Sequence, residues 1–366
     1  MLSSLHERFD KHLAQAENVR SLFIALNDEV FENRVAAVSL IGRLAKHNPA
    51  YVMPSLRKAL IQLMTELEYS TVMYVSILPR VMFCAKMNIY RRNREECTRL
   101  LTLLVSATQR LIKPYALPMM LTLLPKAEDT NPTVAANVLM CLGELACAGG
   151  EDALPHVDEL MQVILLRLAD PSHVKRDAAL RTLGQVCSST GYVITPLIDH
   201  PQILQLLNRI LRSESNQHIR REVVKVLGII GALDPYGRKT KLGEDSSSET
   251  SMYSVNQLPL NPPGSSPQSD DYYQVVVINS LLAILTDHSL SSHHHTVIEA
   301  IMSIFKTQGL KCVPFLPQVC IVQELHSTLV DMILDRARLH KRYPSNVRCT
   351  APGVSPTAAC HSGHNH

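Results

Sequence analysis

The run Asn131-Pro132-Thr133-Val134, leading on to Cys141-Leu142-Gly143-Glu144-Leu145, is written twice more in other residues. Asp170-Pro171-Ser172-His173-Val174 leads to Thr182-Leu183-Gly184-Gln185-Val186, and Asn216-Gln217-His218-Ile219-Arg220 leads to Val226-Leu227-Gly228-Ile229-Ile230. Each copy opens on a polar turn and ends on a Leu-Gly step inside an apolar run. The three glycines stand 41 and 44 positions apart. A turn signal followed by an apolar stripe of helical period predicts a helix, and such a spacing leaves room for a second, antiparallel one.

A period of about 40 residues is that of HEAT and armadillo units, pairs of helices stacked on their neighbours. The sequence therefore predicts an all-α HEAT-repeat solenoid of about six units. Leu40-Ile41-Gly42-Arg43-Leu44 is a further copy of the step, and Thr102, 41 residues before Gly143, takes the glycine position of another. Gly42 and Thr102 are 60 apart, 19 more than that spacing. The excess is assigned to residues 71–92, read as an irregular insertion, such as a retained intron would leave. Repeats then occupy 1–70, 93–236 and 272–319. Residues 237–271 contain Glu244-Asp245-Ser246-Ser247-Ser248-Glu249 and Pro262-Pro263-Gly264-Ser265-Ser266-Pro267. Such a segment has too little apolar surface to offset the entropy of ordering and is expected to be a disordered acidic loop. Residues 320–366 are expected to form a divergent, partly disordered tail.

Composition agrees with close helix packing. Apolar residues make up 46% of the 366, Trp is absent and aromatic residues are 5%, so small aliphatic side chains must fill the interior. The 36 basic and 33 acidic residues nearly cancel, which predicts neither a nucleic-acid footprint nor a membrane patch. Residues 1–13 carry His6, Glu7, Arg8, Asp10 and Lys11 in place of a signal peptide's apolar core. The nine cysteines form no CxxC pair, and Cys141, Cys147 and Cys187 are expected as reduced thiols in apolar helix faces. A cytoplasmic chain is the default expectation.

Within a unit, Asn131-Pro132 and Asp170-Pro171 are read as helix starts, the polar residue capping free N–H groups and Pro fixing the first turn. Pro49 and Pro54 mark a loop and the first turn of another helix. The Leu-Gly step accepts a cost of about 1 kcal/mol relative to Ala, which implies a close helix crossing; Leu at Gly143 or Gly184 should destabilise it. An acid and a base lie six residues apart in Asp28/Arg34, Asp170/Arg176 and Glu214/Arg220. They predict either a ladder of ion pairs within or between units, or solvated surface charges of little worth.

No chemistry is legible. GxGxxG and GxxxxGK[ST] loops are absent, and so are kinase signatures of the HRD and DFG type. Site residues are accordingly none: no catalytic, cofactor-binding or metal-ligating position is assigned, and no cofactor is expected. His293-His294-His295 is read as a solvated turn, because adjacent residues point in different directions. Cys360, His361, His364 and His366 lack the surroundings of a structural metal site. Ser266-Pro267 is a candidate phosphorylation dipeptide in an acidic spacer. Tyr115, Tyr192 and Tyr236 are read as packing residues at helix ends.

Several phrases exceed a generic repeat. Residues 9–18 (FDKHLAQAEN), 22–31 (LFIALNDEVF), 227–236 (LGIIGALDPY) and 309–319 (GLKCVPFLPQV) resemble the HEAT-repeat array of the target-of-rapamycin (TOR) family of protein kinases. So do Thr190-Gly191-Tyr192-Val193 and the His293-to-Thr296 run. The resemblance covers about Ser4 to Val319 apart from residues 71–92. It implies a non-catalytic scaffold segment of a serine/threonine kinase, serving protein assembly in nutrient-responsive growth signalling. It also implies raptor- or rictor-like adaptors and TOR self-association as partners, without nucleic acid or membrane insertion. The implied location is the cytoplasm, endomembrane or lysosomal surfaces, or the nucleus as part of a TOR complex. The family's kinase and rapamycin-binding domains have no counterpart here, so its catalytic residues fall on no position. The alternatives are a HEAT scaffold of another system, a phosphatase regulatory subunit or nuclear transport carrier, and an enzyme with a His/Cys metal site.

Overall fold

Fifteen α-helices and no strand make up the described residues of the computed structural model, which are 9–77, 84–193, 195–231 and 272–308. A short α1 (Asp10–Leu13) precedes the first hairpin, α2 (Ala16–Ala25) and α3 (Phe31–His47). The second is α4 (Pro49–Ile77) with α5 (Cys84–Ala107). In the third, α6 (Gln109–Ile112) and α7 (Ala116–Leu123) form the first arm and α8 (Pro132–Gly149) the second. The fourth pairs α9 (Val157–Leu168) with α10 (His173–Thr190). The fifth has α11 (Thr195–Asp199) and α12 (Gln202–Ser213) before α13 (Gln217–Ile230), and the sixth pairs α14 (Tyr272–Leu285) with α15 (His294–Gln308). The expected all-α solenoid is the fold. Residues 71–77 finish α4 and 84–92 open α5, so the segment read as an irregular insertion is helical wherever it is described, lengthening both arms of one hairpin. The loop at 237–271, the tail at 320–366 and residues 309–319 lie outside the described residues.

The second helices form the spine. Helix α3 packs on α5, α5 on α8, α8 on α10, α10 on α13 and α13 on α15. The residue before the glycine position is Ile41, Leu101, Leu142, Leu183 or Leu227, and all five are at most 1% exposed. Each such side chain stabilises its hairpin by about 1.5–3 kcal/mol through burial, so the seam is a continuous interior extended one repeat at a time. The stretch Pro132–Leu168 is apolar enough to resemble a membrane span, yet 67% of its most apolar window is buried in the protein.

The glycines sit at these crossings. A Cβ on Gly42 would lie 2.7 Å from Ala107 Cβ and 2.9 Å from the Ala107 carbonyl oxygen, and one on Gly228 would lie 2.8 Å from Ala300 Cβ. All three distances are well inside van der Waals contact. At Gly143 the added atom would run into the Gln185 amide. Gly184 differs: its nearest atoms are Ile229 Cδ1 at 3.4 Å and Val226 Cγ2 at 3.5 Å, which is room for a methyl group. At the α5–α8 crossing Thr102 replaces glycine and spans the gap with a hydrogen bond, its hydroxyl donating to the Asn137 carbonyl at 3.0 Å.

Helix starts follow the sequence in part. Asn131 caps α8, accepting the Thr133 N–H at 2.9 Å with Pro132 in the first turn, and Asn216 caps α13 through the His218 N–H at 2.9 Å. Asp170 is not the cap of α10. That helix starts at His173 with Ser172 at the N-cap, and the Asp170 carboxylate instead accepts the Ser172 N–H at 2.9 Å. The correction has a physical reason: the acid closes a turn over two residues and so needs to stand two positions before the cap. Pro54 likewise lies inside α4, which already begins at Pro49.

Candidate functional site

The turn between the two helices of a hairpin is built the same way four times. Asp28 accepts the N–H of Val30 at 2.8 Å, Asp129 that of Asn131 at 2.8 Å, Asp170 that of Ser172 at 2.9 Å and Glu214 that of Asn216 at 3.4 Å. In each case the N–H belongs to the N-cap residue of the second helix. The carboxylate is thereby placed at the helix start, where the dipole favours negative charge. The hydrogen bonds from the Val30 N–H and Asn33 hold the Asp28 carboxyl below its ordinary range. For Glu214, burial alone would raise it, and the Arg176 hydrogen bond with the Asn216 and Ser215 N–H groups more than offsets this.

Arginines of the second helices, Arg34 and Arg176 one turn in and Arg94 deeper along α5, carry ion pairs to the next hairpin. Arg34 Nη2 reaches Glu96 of the next hairpin at 2.5 Å, Arg94 Nη1 reaches Asp129 at 2.6 Å and Arg176 Nη2 reaches Glu214 at 2.5 Å. Arg176 also donates to the carbonyls of Asp170 and Pro171, both at 2.8 Å, and Arg220 Nε donates to the Glu214 carbonyl at 2.6 Å. The ladder suggested by Asp170/Arg176 and Glu214/Arg220 is therefore present, but the base binds the main chain of its own turn and, for Arg176, the carboxylate of the next. The Arg94 and Asp129 side chains are only 3% and 9% exposed, so this rung is not a solvated pair. Arg94 escaped notice in the sequence, although it precedes Thr102 by eight residues as Arg34 precedes Gly42. Ala135 holds that register in α8; there Arg167 of α9 reaches Glu128 and Asp170, each at 3.6 Å.

Amides and hydroxyls add further rungs. Glu144 accepts from Gln109 at 2.7 Å within its own hairpin and from Gln185 of the next at 2.8 Å. The Thr182 hydroxyl donates to the Leu139 carbonyl at 2.8 Å, and Asn137 Nδ2 donates to the Glu95 carbonyl at 3.2 Å. Phe31 carries two guanidiniums against its ring, Arg34 at 5.0 Å and Arg99 of α5 at 5.2 Å, an arrangement worth about 0.5–1 kcal/mol when exposed.

The first helices are different in character. Ile24, Tyr51, Ile61, Tyr69, Leu121 and Leu166 are exposed large apolar side chains on α2, α4, α7 and α9, whereas among the described residues of the second helices only Val174, at 38%, is comparably exposed. One ridge is thus closed by polar rungs and the other leaves apolar side chains in solvent. The concavities beside α12 are open grooves of about 580 and 250 Å³, the larger lined by Gln205, Asn208, Arg209, Arg212 and Ser213.

The residues considered for chemistry fall as follows. His293 is 2% exposed, which corrects its reading as part of a solvated turn, whereas the side chain of His295 is 85% exposed. Among the described residues no three His, Cys, Asp or Glu side chains converge on a point where a metal ion could sit. Cys141 and Cys187 are free and buried, and burial pushes each thiol up to about 12. Tyr192 is buried and its hydroxyl donates to Asp199 at 2.6 Å. Tyr236, Ser266, Cys360, His361, His364 and His366 lie outside the described residues.

Paired helices, a glycine-lined spine and charged rungs between the first five hairpins define a HEAT-repeat solenoid. A HEAT-like repeat model matches residues 136–186, and a model described as the serine/threonine-protein kinase mTOR domain matches residues 193–332. The chain corresponds to the HEAT-repeat region of the TOR protein kinases. It is 43% identical over 322 residues to the serine/threonine-protein kinase TOR2 of Saccharomyces cerevisiae, and 44% identical over 321 residues to tor1 of Schizosaccharomyces pombe. It is 40% identical over 335 residues to mTor of Drosophila melanogaster. Each match covers 87% of this chain, which spans only 12–13% of those kinases. Among solved structures the chain is similar to Kap121p, at TM-score 0.54, 15% identity and 86% coverage of this chain and 26% of the other. Importin beta gives 0.56, 14%, 88% and 36%. Identity that low shows a shared fold alone.

Proposed function

We propose that this chain is a non-catalytic scaffold segment of a TOR-type serine/threonine kinase, which assembles protein partners for nutrient-responsive growth signalling. The observation that carries the reading is the asymmetry of the two ridges. Polar rungs hold the second helices to one another, while the first helices leave Ile61, Tyr69, Leu121 and Leu166 in solvent. Apolar side chains of that size, set along a rigid ridge, suit the face of another helical protein. Raptor- or rictor-like adaptors and a second TOR chain are the partners in view, and a TOR complex in the cytoplasm, on lysosomal membranes or in the nucleus is the location.

The test belongs in a full-length TOR kinase carrying this segment. Ile61→Glu with Leu166→Glu should reduce co-purification of the adaptor or the second kinase copy, and leave phosphorylation of a short peptide substrate unchanged. Val174→Glu on the opposite ridge should alter neither. Undiminished assembly in the double variant would overturn the reading.

A further inference from the structure

The turn His288–His293 joins α14 to α15 and is seated against α13, the Ser292 hydroxyl lying 3.3 Å from the Gln217 side-chain oxygen. At its end His293 is buried, and neither ring nitrogen has a hydrogen-bond partner among the described residues. The charges around it are of one sign: Arg220 and Arg221 come from α13, and His294 follows in the chain. Among the described residues no carboxylate pairs with the ring. Asp287 is occupied by the Ser289 N–H and hydroxyl at 3.0 and 2.6 Å, and Glu214 takes Arg176. Glu299 of α15 is exposed beside His295, and α14 has no charged residue in its sequence. Arg212 of α12 adds only more positive charge near Asp287.

We propose that the seam between α13 and the α14–α15 hairpin is a proton-sensitive joint, seated only while the His293 imidazole is neutral. Protonation would place an unpaired cation beside two guanidiniums in a site without an acceptor, a state that burial strongly disfavours. Burial, then Arg220, Arg221 and His294, hold the imidazole below its ordinary value of 6.5. The direction of the effect follows. The unseated hairpin binds the proton more readily than the seated one, so seating is fully favoured above about 6.5 and weakens as pH falls below it. His218 of α13 instead lies between Asp177 and Arg181 of α10, each at 3.1 Å. Acidification should therefore loosen the last hairpin while the α8–α10 stack stays closed.

Hydrogen exchange of the full chain at pH 7.5 and 5.5, corrected for the intrinsic rate, tests this. The wild type should lose protection in α15 at the lower pH, with α10 unchanged. His293→Leu should make α15 insensitive to pH, and His295→Gln should leave the wild-type response intact. Unchanged α15 protection in the wild type, or a loss that persists in His293→Leu, would refute the joint. Should the Leu variant fail to fold, histidine ring NMR of the wild type decides: titration of His293 below the free-imidazole value supports it, and titration at or above that value overturns it.

Discussion

Gly228→Ala and Gly184→Ala should change stability in opposite directions although both place one methyl group at the same register of a helix. Either substitution gains about 1 kcal/mol of helix propensity. At position 228 the new Cβ would stand 2.8 Å from Ala300 Cβ and 3.1 Å from Ala300 Cα, so α13 and α15 must separate. Such overpacking costs about 1–3 kcal/mol, leaving a net loss of up to about 2 kcal/mol. At position 184 the neighbours are side-chain ends at 3.4 and 3.5 Å, and the gain of about 1 kcal/mol survives. Because repeat arrays need not unfold in one step, the readout is urea dependence of hydrogen exchange in α15 and α10 separately. Ala300→Gly should recover much of the loss in Gly228→Ala and cost stability alone, giving a coupling between the two sites. Shifts of the same sign at 184 and 228, or no coupling with Ala300, would refute the close-crossing explanation of the glycines.

Two further outcomes follow from the rungs. Arg94→Met should cost about 3–5 kcal/mol in the exchange of α5 and α8, because it leaves the Asp129 carboxylate buried without its cation, whereas Lys113→Met, whose partner Asp152 is as exposed as itself, should change little. Stability of the α10–α13 contact should be flat above the ordinary carboxylate range and fall as pH drops below 4.5, because Glu214 titrates lower when folded than unfolded. An acid titration of Glu214→Gln, followed by exchange in α13, should lack that step.

Much of the fold was legible because its determinants are local. The Leu-Gly step fixes the buried register at Leu142, Leu183 and Leu227, and the polar turn before each second helix marks where the chain reverses. What escaped the sequence depends on contact between repeats. Asp170 looked like a cap because Pro followed it; its true role, receiving an N–H two residues on, shows only when Asp28, Asp129, Asp170 and Glu214 are superposed. Arg94 could have been found by the same register, eight residues before Thr102, but Thr102 is not glycine and the copy before it is lengthened. His293 was opaque for a further reason: Arg220 and Arg221 of α13, whose charges act on its ring, stand far earlier in the sequence, and a run of three histidines beside serines carries the local signature of an exposed turn.

The central claim is that the second helices form one continuous spine to which the first helices are attached. Native-state hydrogen exchange of the whole chain measures it directly. Helices α5, α8 and α10 should be the most protected and open at similar free energies, with α7 and α9 opening more readily. Protection concentrated in α7 and α9, or free exchange around Leu142, Leu183 and Leu227, would contradict it.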